Sequence, residues 1–282
     1  MTQHVRDHLG RFGIWRGGSQ LTPELAAGIE QLGFDALWVG GSPDGELMQV
    51  EQLLDATTTL ALATGIVNMW KDDARTVAAS FARIEGRHPG RFLLGVGTGH
   101  REATQQYAKP YETLAGYVGV LLGEGVPKTS LVLAALGPKV LRLAAERTAG
   151  AHPYLVTPEY TREARRILGA GPLLAPEHKV VLDTDPERAR AIGRPRVRTP
   201  YLGLVNYTNN LRRLGWSEDD LSGAGSDALI DALVAHGSAA EVAAKLTGHL
   251  DAGADHVAIQ LLTAGDADPL AGYRQLAQAL AL

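Results

Sequence analysis

The chain has 282 residues, 45% hydrophobic and 21% charged, enough to bury a full-sized core without a covalent staple. Its formal charge of -4 comes from interspersed acidic and basic residues, which leaves no field for a polyanion and excludes nucleic acid as an expected partner. With no cysteine, disulfides, thiolate metal sites and a Cys nucleophile are excluded together.

The opening residues, MTQHVRDHLGRF, lack the apolar stretch of a signal peptide, and no run approaches the roughly 18 apolar residues of a membrane span, so a soluble, cytoplasmic protein is expected. The first strand-like run is Phe12 to Trp15 and the second Ala36 to Val39. Between them Thr22 caps a helix with Pro23 at its first position, Leu25, Ile29 and Leu32 share a face, and Gly33 ends it. Further strands are expected at Leu62 to Val67, Phe92 to Val96, Leu131 to Ala135, Pro153 to Val156, Lys179 to Leu182 and Val257 to Leu262. Amphipathic helices intervene, one on Val77, Phe81 and Ile84, another on Tyr111, Leu114, Val118 and Leu121. Ser238 and Glu241 have capping-box spacing and open a helix through Val242, Leu246 and Leu250 that ends near Gly253.

Eight nearly continuous apolar strands alternating with helices predict an α/β fold, a (β/α)8 TIM barrel forming one domain over residues 1–282. A doubly wound open sheet is the alternative. Residues 194–235 fit neither pattern and are read as extra helices between strands seven and eight.

In such a barrel the site lies on the loops that follow the strands. The fourth strand runs into Gly95, Gly97, Thr98, Gly99 and His100; the glycines either let backbone approach a flat ligand or form a tight turn in a chain with 33 glycines. The spacing is G-x-G-x-G, which does not match the dinucleotide fingerprint. After the fifth strand, Gly137 and Pro138 open a helix with Lys139 and Val140 next, either a plain helix start or a phosphate site. Thr157 and Pro158 put a second helix amino end on the same rim, which favours an anion.

Of nine histidines, His4 and His8 have the spacing of metal ligands but no matching carboxylate and are read as a solvated face, so no metal is expected. His178 and His256 precede strands seven and eight, at the structural end of the barrel, and His152 precedes strand six. Only His100 follows a strand onto the functional rim. No G-x-S-x-G, H-E-x-x-H or P-loop motif is present.

Together LGFDALWV (Leu32 to Val39), ATGIVNMW (Ala63 to Trp70), GRFLLGVGTG (Gly90 to Gly99), AALGPKVLRLAAERTAG (Ala134 to Gly150) and AGADHVAIQLL (Ala252 to Leu262) resemble the luciferase-like superfamily, especially its branch using the deazaflavin coenzyme F420. The resemblance implies a ring seated at the strand ends, supported by a bulge on strand three whose non-proline cis peptide carries over to Gly65 and Ile66. It implies a ring-proximal turn at Thr98 and Gly99, and a phosphate site at Gly137, Pro138, Lys139 and Val140 completed by Thr157. Sugar-phosphate dehydrogenases of that branch carry an Asp-His pair after strand two and an acid after the strand-four glycines. Here those places read Gly40, Gly41, Ser42 and His100, so their substrate chemistry does not transfer, and His100 is the candidate proton donor.

Trp15, Ser42, Asn68 and Trp70 are the candidate substrate pocket. The expected activity is hydride transfer between reduced F420 and a small organic substrate; Ala-rich helices could supply a face for a homodimer, as barrels of the resembled family often pair, but the sequence does not fix the oligomeric state. An FMN-dependent luciferase-like monooxygenase and a non-catalytic F420-binding barrel are the alternatives.

Overall fold

The computed structural model describes residues 5–99, 109–265 and 268–282. Among the described residues eleven parallel strands form the sheet: β1 Phe12–Gly17, β2 Ala36–Gly40, β3 Ala61–Gly65, β4 Val67–Asn68, β5 Phe92–Gly97, β6 Leu131–Leu133, β7 Gly150–Ala151, β8 Leu173–Leu174, β9 Glu177–Val181, β10 Val234–His236 and β11 Val257–Leu261. Their order is β10-β9-β11-β1-β2-β3-β5-β6-β7-β8, with β4 paired to β5. The helices are α1 Pro23–Gln31, α2 Met48–Asp55, α3 Ala74–Arg87, α4 Pro110–Gly123, α5 Pro138–Arg147, α6 Pro158–Leu168, α7 Pro186–Arg198, α8 Val205–Arg213, α9 Glu218–Leu221, α10 Asp227–Leu233, α11 Ala239–Asp251 and α12 Pro269–Leu280.

The sheet curls into a (β/α)8-like barrel that is split, where the sequence predicts a regular TIM barrel. The chain between its two ends passes through Ala175 and Pro176: β8 pairs with β7, and β9 pairs with β11. Pro176 has no N–H to donate, so the ladder breaks there, and its carbonyl accepts from Ala258 N–H across the break at 2.9 Å.

Strand residues alternate between two buried faces. Leu37, Val39, Leu62 and Leu94 join the layer under the helices, whereas Trp38, Ala61, Ala63, Leu93 and Ala258 fill the interior of the curl. Small residues on neighbouring strands make room for the Trp38 indole, whose Nε1–H donates to His256 Nε2 at 3.0 Å. The helix signals act as expected: Thr22 caps α1 through Leu25 N–H, and Ser238 with Glu241 forms a reciprocal capping box on α11. Residues 194–235 are largely helical, from the end of α7 to α10, but β10 adds a short strand beside β9 that the hydrophobic pattern does not announce. No helix among the described residues is long and apolar enough to cross a membrane.

Two predicted strands change. The run Leu62 to Val67 is interrupted at the Gly65–Ile66 peptide bond, which is cis, and resumes as β4. Pro153 to Val156, predicted as the sixth strand, is not a strand; β7, Gly150–Ala151, takes its place, and the apolar residues beyond it form a loop in which Leu155 has a positive φ of 56°. His152 therefore follows its strand instead of preceding it. His178 lies inside β9, turned outward to His249 of α11, with Nδ1 2.9 Å from His249 Nε2.

Candidate active site

A cavity of about 420 Å³ opens at the carboxyl ends of the strands. Its wall is assembled from Trp15 on β1, Gly41 and Ser42 after β2, Gly65, Ile66 and Asn68 around the bulge, and Thr98 and Gly99 after β5. Ala134 to Gly137, Val140, His152 and Tyr154 complete one side, and Tyr201, Asn206 and Tyr207 from the inserted segment close another.

The bulge is built by Thr64. Where β3 leaves β5, the Thr64 hydroxyl donates to Gly95 O at 2.9 Å and accepts from Gly95 N–H at 2.8 Å, replacing ladder bonds. A Cβ on Gly95 would lie 2.0 Å from Thr64 O, and one on Gly97 would lie 3.1 Å from Ile66 Cδ1. These two glycines thus receive the bulged strand; of the glycine run, Gly99 meets the cavity, with φ 57° and Asn68 packed against it.

Trp15 lies across the ends of β2 and β3, where a Cβ on Gly40 would sit 2.0 Å from its Cζ2 and a Cβ on Gly65 2.6 Å from its Nε1. Rings then run in sequence: Trp15 to Tyr154 at 5.2 Å, Tyr154 to Tyr201 at 5.3 Å, and Tyr201 to Tyr207 at 4.9 Å. The Tyr154 hydroxyl donates to Gln260 Oε1 at 2.9 Å. Burial pushes the Tyr201 hydroxyl up to about 12, so the wall carries no tyrosinate near neutral pH.

His152 is 1% exposed and stacks on Trp38, with ring centroids 4.0 Å apart and planes 14° apart. Its Nδ1 is 2.7 Å from the Ala175 carbonyl. A carbonyl can only accept, so the proton sits on Nδ1 and Nε2 holds a lone pair. Burial, partly opposed by the Ala175 hydrogen bond, lowers its pKa to about 3 and keeps the ring neutral.

Among the predicted site residues, Trp15, Ser42, Gly65, Ile66, Asn68, Thr98, Gly99, Gly137 and Val140 line this cavity. Trp70, Pro138, Lys139 and Thr157 do not: Trp70 packs against the outer core, Lys139 is exposed, and the Thr157 hydroxyl caps α6 by accepting from Tyr160 N–H. His100 and His4 lie outside the described residues. The sequence reading misses Tyr154, Tyr201, Asn206, Tyr207 and, through the misplaced strand, His152. It also misses Arg213 of α8, whose guanidinium donates to Leu136 O at 3.2 Å beside the start of α5. Correct placement of the sixth strand is the signal that finds His152.

The profile of the luciferase-like monooxygenase family matches residues 20–123. An F420-dependent secondary alcohol dehydrogenase, solved with an F420-acetone adduct, superposes with a TM-score of 0.73 over 96% of this chain and 98% of that one, at 16% identity. The family match covers part of the chain, whereas the fold is shared with that structure over nearly the whole of both chains. The coenzyme F420-dependent tetrahydromethanopterin reductase from Methanopyrus kandleri gives a TM-score of 0.69, 16% identity and coverage of 96% and 98%. The oxygenating constituent of 3,6-diketocamphane monooxygenase from Pseudomonas putida, solved with FMN, gives 0.66, 13% identity and coverage of 95% and 96%. Structures that use F420 and structures that use FMN thus share this fold. No curated protein matches the sequence.

Proposed function

We propose that this chain is an F420-dependent oxidoreductase that transfers a hydride between reduced deazaflavin and a small organic substrate. The supporting observation is the cavity itself: about 420 Å³, within the roughly 300–1,000 Å³ of small-molecule sites, placed over the bulge with Ile66 against it and Gly99 and Gly137 exposing backbone to it. Its mainly apolar lining, with buried polar atoms at Trp15 and His152, fits a flat heteroaromatic group.

F420 would supply the hydride, and the chain supplies position, exclusion of water and protons. Gly65 and Ile66 would support the ring, Thr98 and Gly99 would border it, and the opening of α5, Gly137 through Val140, would hold the phosphate, with the N–H groups of Gly137 and Lys139 as its donors. Lys139 provides charge outside the wall, and Thr157 orders the neighbouring helix start. His100 is the proposed proton donor. A second reading, an FMN-dependent monooxygenase, is favoured by the family profile that matches and by the FMN held in one similar structure.

The deciding experiment titrates the purified protein with F420 and with FMN and then offers reduced F420 to candidate acceptors. F420 is expected to bind more tightly than FMN. Lys139→Ala should weaken F420 binding by about 1–3 kcal/mol, as for a charge-assisted contact, and His100→Ala should cut turnover far more than affinity. Preference for FMN with consumption of oxygen selects the monooxygenase. Indifference to both coenzymes refutes the proposal.

A further inference from the structure

A second cavity, of about 610 Å³, opens beside the first at the strand ends, and the two share Trp15, Tyr154 and Tyr201 as a common wall. Strand register sets its floor: Gln260 of β11 lies beside Lys179 of β9, and Trp15 of β1 follows the Ile14–Ile259 pair. Arg16, at the end of β1, and Arg196, on α7, line its sides.

Three of these side chains carry donors that the described residues do not match with an acid. The Arg16 guanidinium donates from Nε to Gln20 O at 3.4 Å and from Nη1 to the Tyr273 hydroxyl at 3.3 Å. Both acceptors are neutral; they fix the group and leave Nη2 without a partner among the described residues. Arg196 likewise has no partner among the described residues. Gln260 Oε1 accepts from the Tyr154 hydroxyl at 2.9 Å, which leaves its amide N–H groups as the unused end. Arg16 and Gln260 are half-buried and Arg196 is exposed, so none of the three is sealed off.

The charges of the wall select among anions. Lys179 adds none, because Glu177 neutralises it at 3.1 Å. Asp268, the other charged residue of the wall, caps α12 by accepting from Leu270 N–H. Two guanidinium groups against one carboxylate leave a single positive charge.

We propose that this cavity is a second ligand site, separate from the coenzyme site, which takes the carboxylate of a small organic monoacid. The two oxygens accept from Arg16 and Arg196 with the Gln260 amide as a further donor, and the apolar body rests on Pro200 and Tyr201. A guanidinium fork matches the two oxygens of a carboxylate, and the charge strengthens each bond. A dianion exceeds the single positive charge, an ammonium meets two cations, and a neutral amide forgoes the attraction.

The test uses the full-length protein and three probes: benzoate, benzamide and sulfate. Affinity is read by calorimetry, and the Arg16 Nε–H, the Gln260 amide and the backbone N–H of Gly99 and Gly137 are followed by NMR. Benzoate should bind about tenfold more tightly than benzamide or sulfate and shift Arg16 and Gln260 while leaving the two glycines in place. Saturation with F420 or FMN should change benzoate affinity by less than about threefold, a weak coupling between separate sites. Arg16→Gln should weaken benzoate about tenfold and leave benzamide unchanged, and Arg16→Lys should recover part of the loss. Arg196→Gln, on an exposed helix face, should weaken benzoate about threefold and keeps the test open where Arg16 variants fold poorly. Gln260→Glu still accepts from Tyr154 but sets a carboxylate against the acid, and should abolish benzoate binding.

Failure of benzoate to bind, or equal affinity for benzoate and benzamide, overturns the site. Competition by F420 or FMN, or resonance shifts at Gly99 and Gly137 in place of Arg16 and Gln260, moves the acid to the first cavity and does the same. Sulfate held as tightly as benzoate reduces the arginines to a patch of surface charge and also overturns it. Failure of both coenzymes to bind, with benzoate affinity still dependent on Arg16 and Arg196, removes the coenzyme reading and leaves this site standing.

Discussion

Replacing Lys179 by methionine should destabilise the protein strongly, and in a way that depends on pH. Glu177 and Lys179 point into the barrel from β9 with side chains 0% and 1% exposed, joined at 3.1 Å. The other carboxylate oxygen of Glu177 accepts from Leu155 N–H at 3.0 Å, and the Lys179 ammonium lies 3.8 Å from the centre of the Tyr154 ring. Burial pushes the Glu177 pKa up and the Lys179 pKa down, each opposed by the partner's charge. In Lys179→Met the carboxylate keeps one N–H bond and loses its counter-charge, a change that costs about 3–5 kcal/mol in buried pairs. At roughly 2–4 °C per kcal/mol for a chain of this size, melting should fall by about 6–20 °C.

The sign with pH follows from the proton count. Without the lysine, the folded-state pKa of Glu177 rises further above its unfolded value, so the native state holds a proton that the unfolded chain releases. Stability is then greatest below the ordinary carboxylate range and falls as pH rises, by at most about 1.4 kcal/mol per unit, until the raised pKa is passed. Replacing both residues, Glu177→Leu with Lys179→Met, removes both desolvation costs and should return stability to within about 1 kcal/mol of the native protein or above it. Thermal and urea unfolding of the single and double variants at pH 5.5 and pH 8 measures this. A single variant that melts with the native protein at both values, or a double variant as unstable as the single, refutes the reasoning.

Two glycines, one in a strand and one in a helix, should respond oppositely. Gly95→Ala places a methyl 2.0 Å from Thr64 O and should destabilise by about 1–3 kcal/mol or more, whereas Gly86→Ala, in α3 with nothing within 4 Å, should stabilise by about 0.5–1 kcal/mol; urea midpoints compare them directly. Ser238→Ala removes the α11 cap, in which Ser238 Oγ accepts from Glu241 N–H at 3.3 Å. The expected cost is about 0.5–2 kcal/mol, read from the same unfolding curves.

The frame of this fold is legible because strands buried on both faces must be apolar at every position, and β2 and β5 are. The pattern fails where burial and pairing part company. Tyr154 walls the cavity, and Leu155 and Val156 pack into neighbouring hydrophobic clusters, so the run reads as a strand although Leu155 is left-handed. The paired segment, Gly150–Ala151, is too small to register. Glu177 and Lys179 fail the opposite test: each alone is out of place in a buried strand, and they are tolerated because each neutralises the other.

The site suffers more than the fold because its chemistry is set across the sheet. Hydrophobic periodicity reports what a residue faces within its own element. It carries no information about Tyr154 meeting Gln260, or about Tyr201 and Tyr207 arriving from an inserted segment to complete the ring of aromatics. The glycines after β5 show the same limit. Their conformational freedom is readable from sequence, but whether the space they leave is filled by a ligand or by the chain depends on the bulge of β3. In this structure Thr64 and Ile66 take the space at Gly95 and Gly97, and that displacement is what carries Ile66 to the cavity wall.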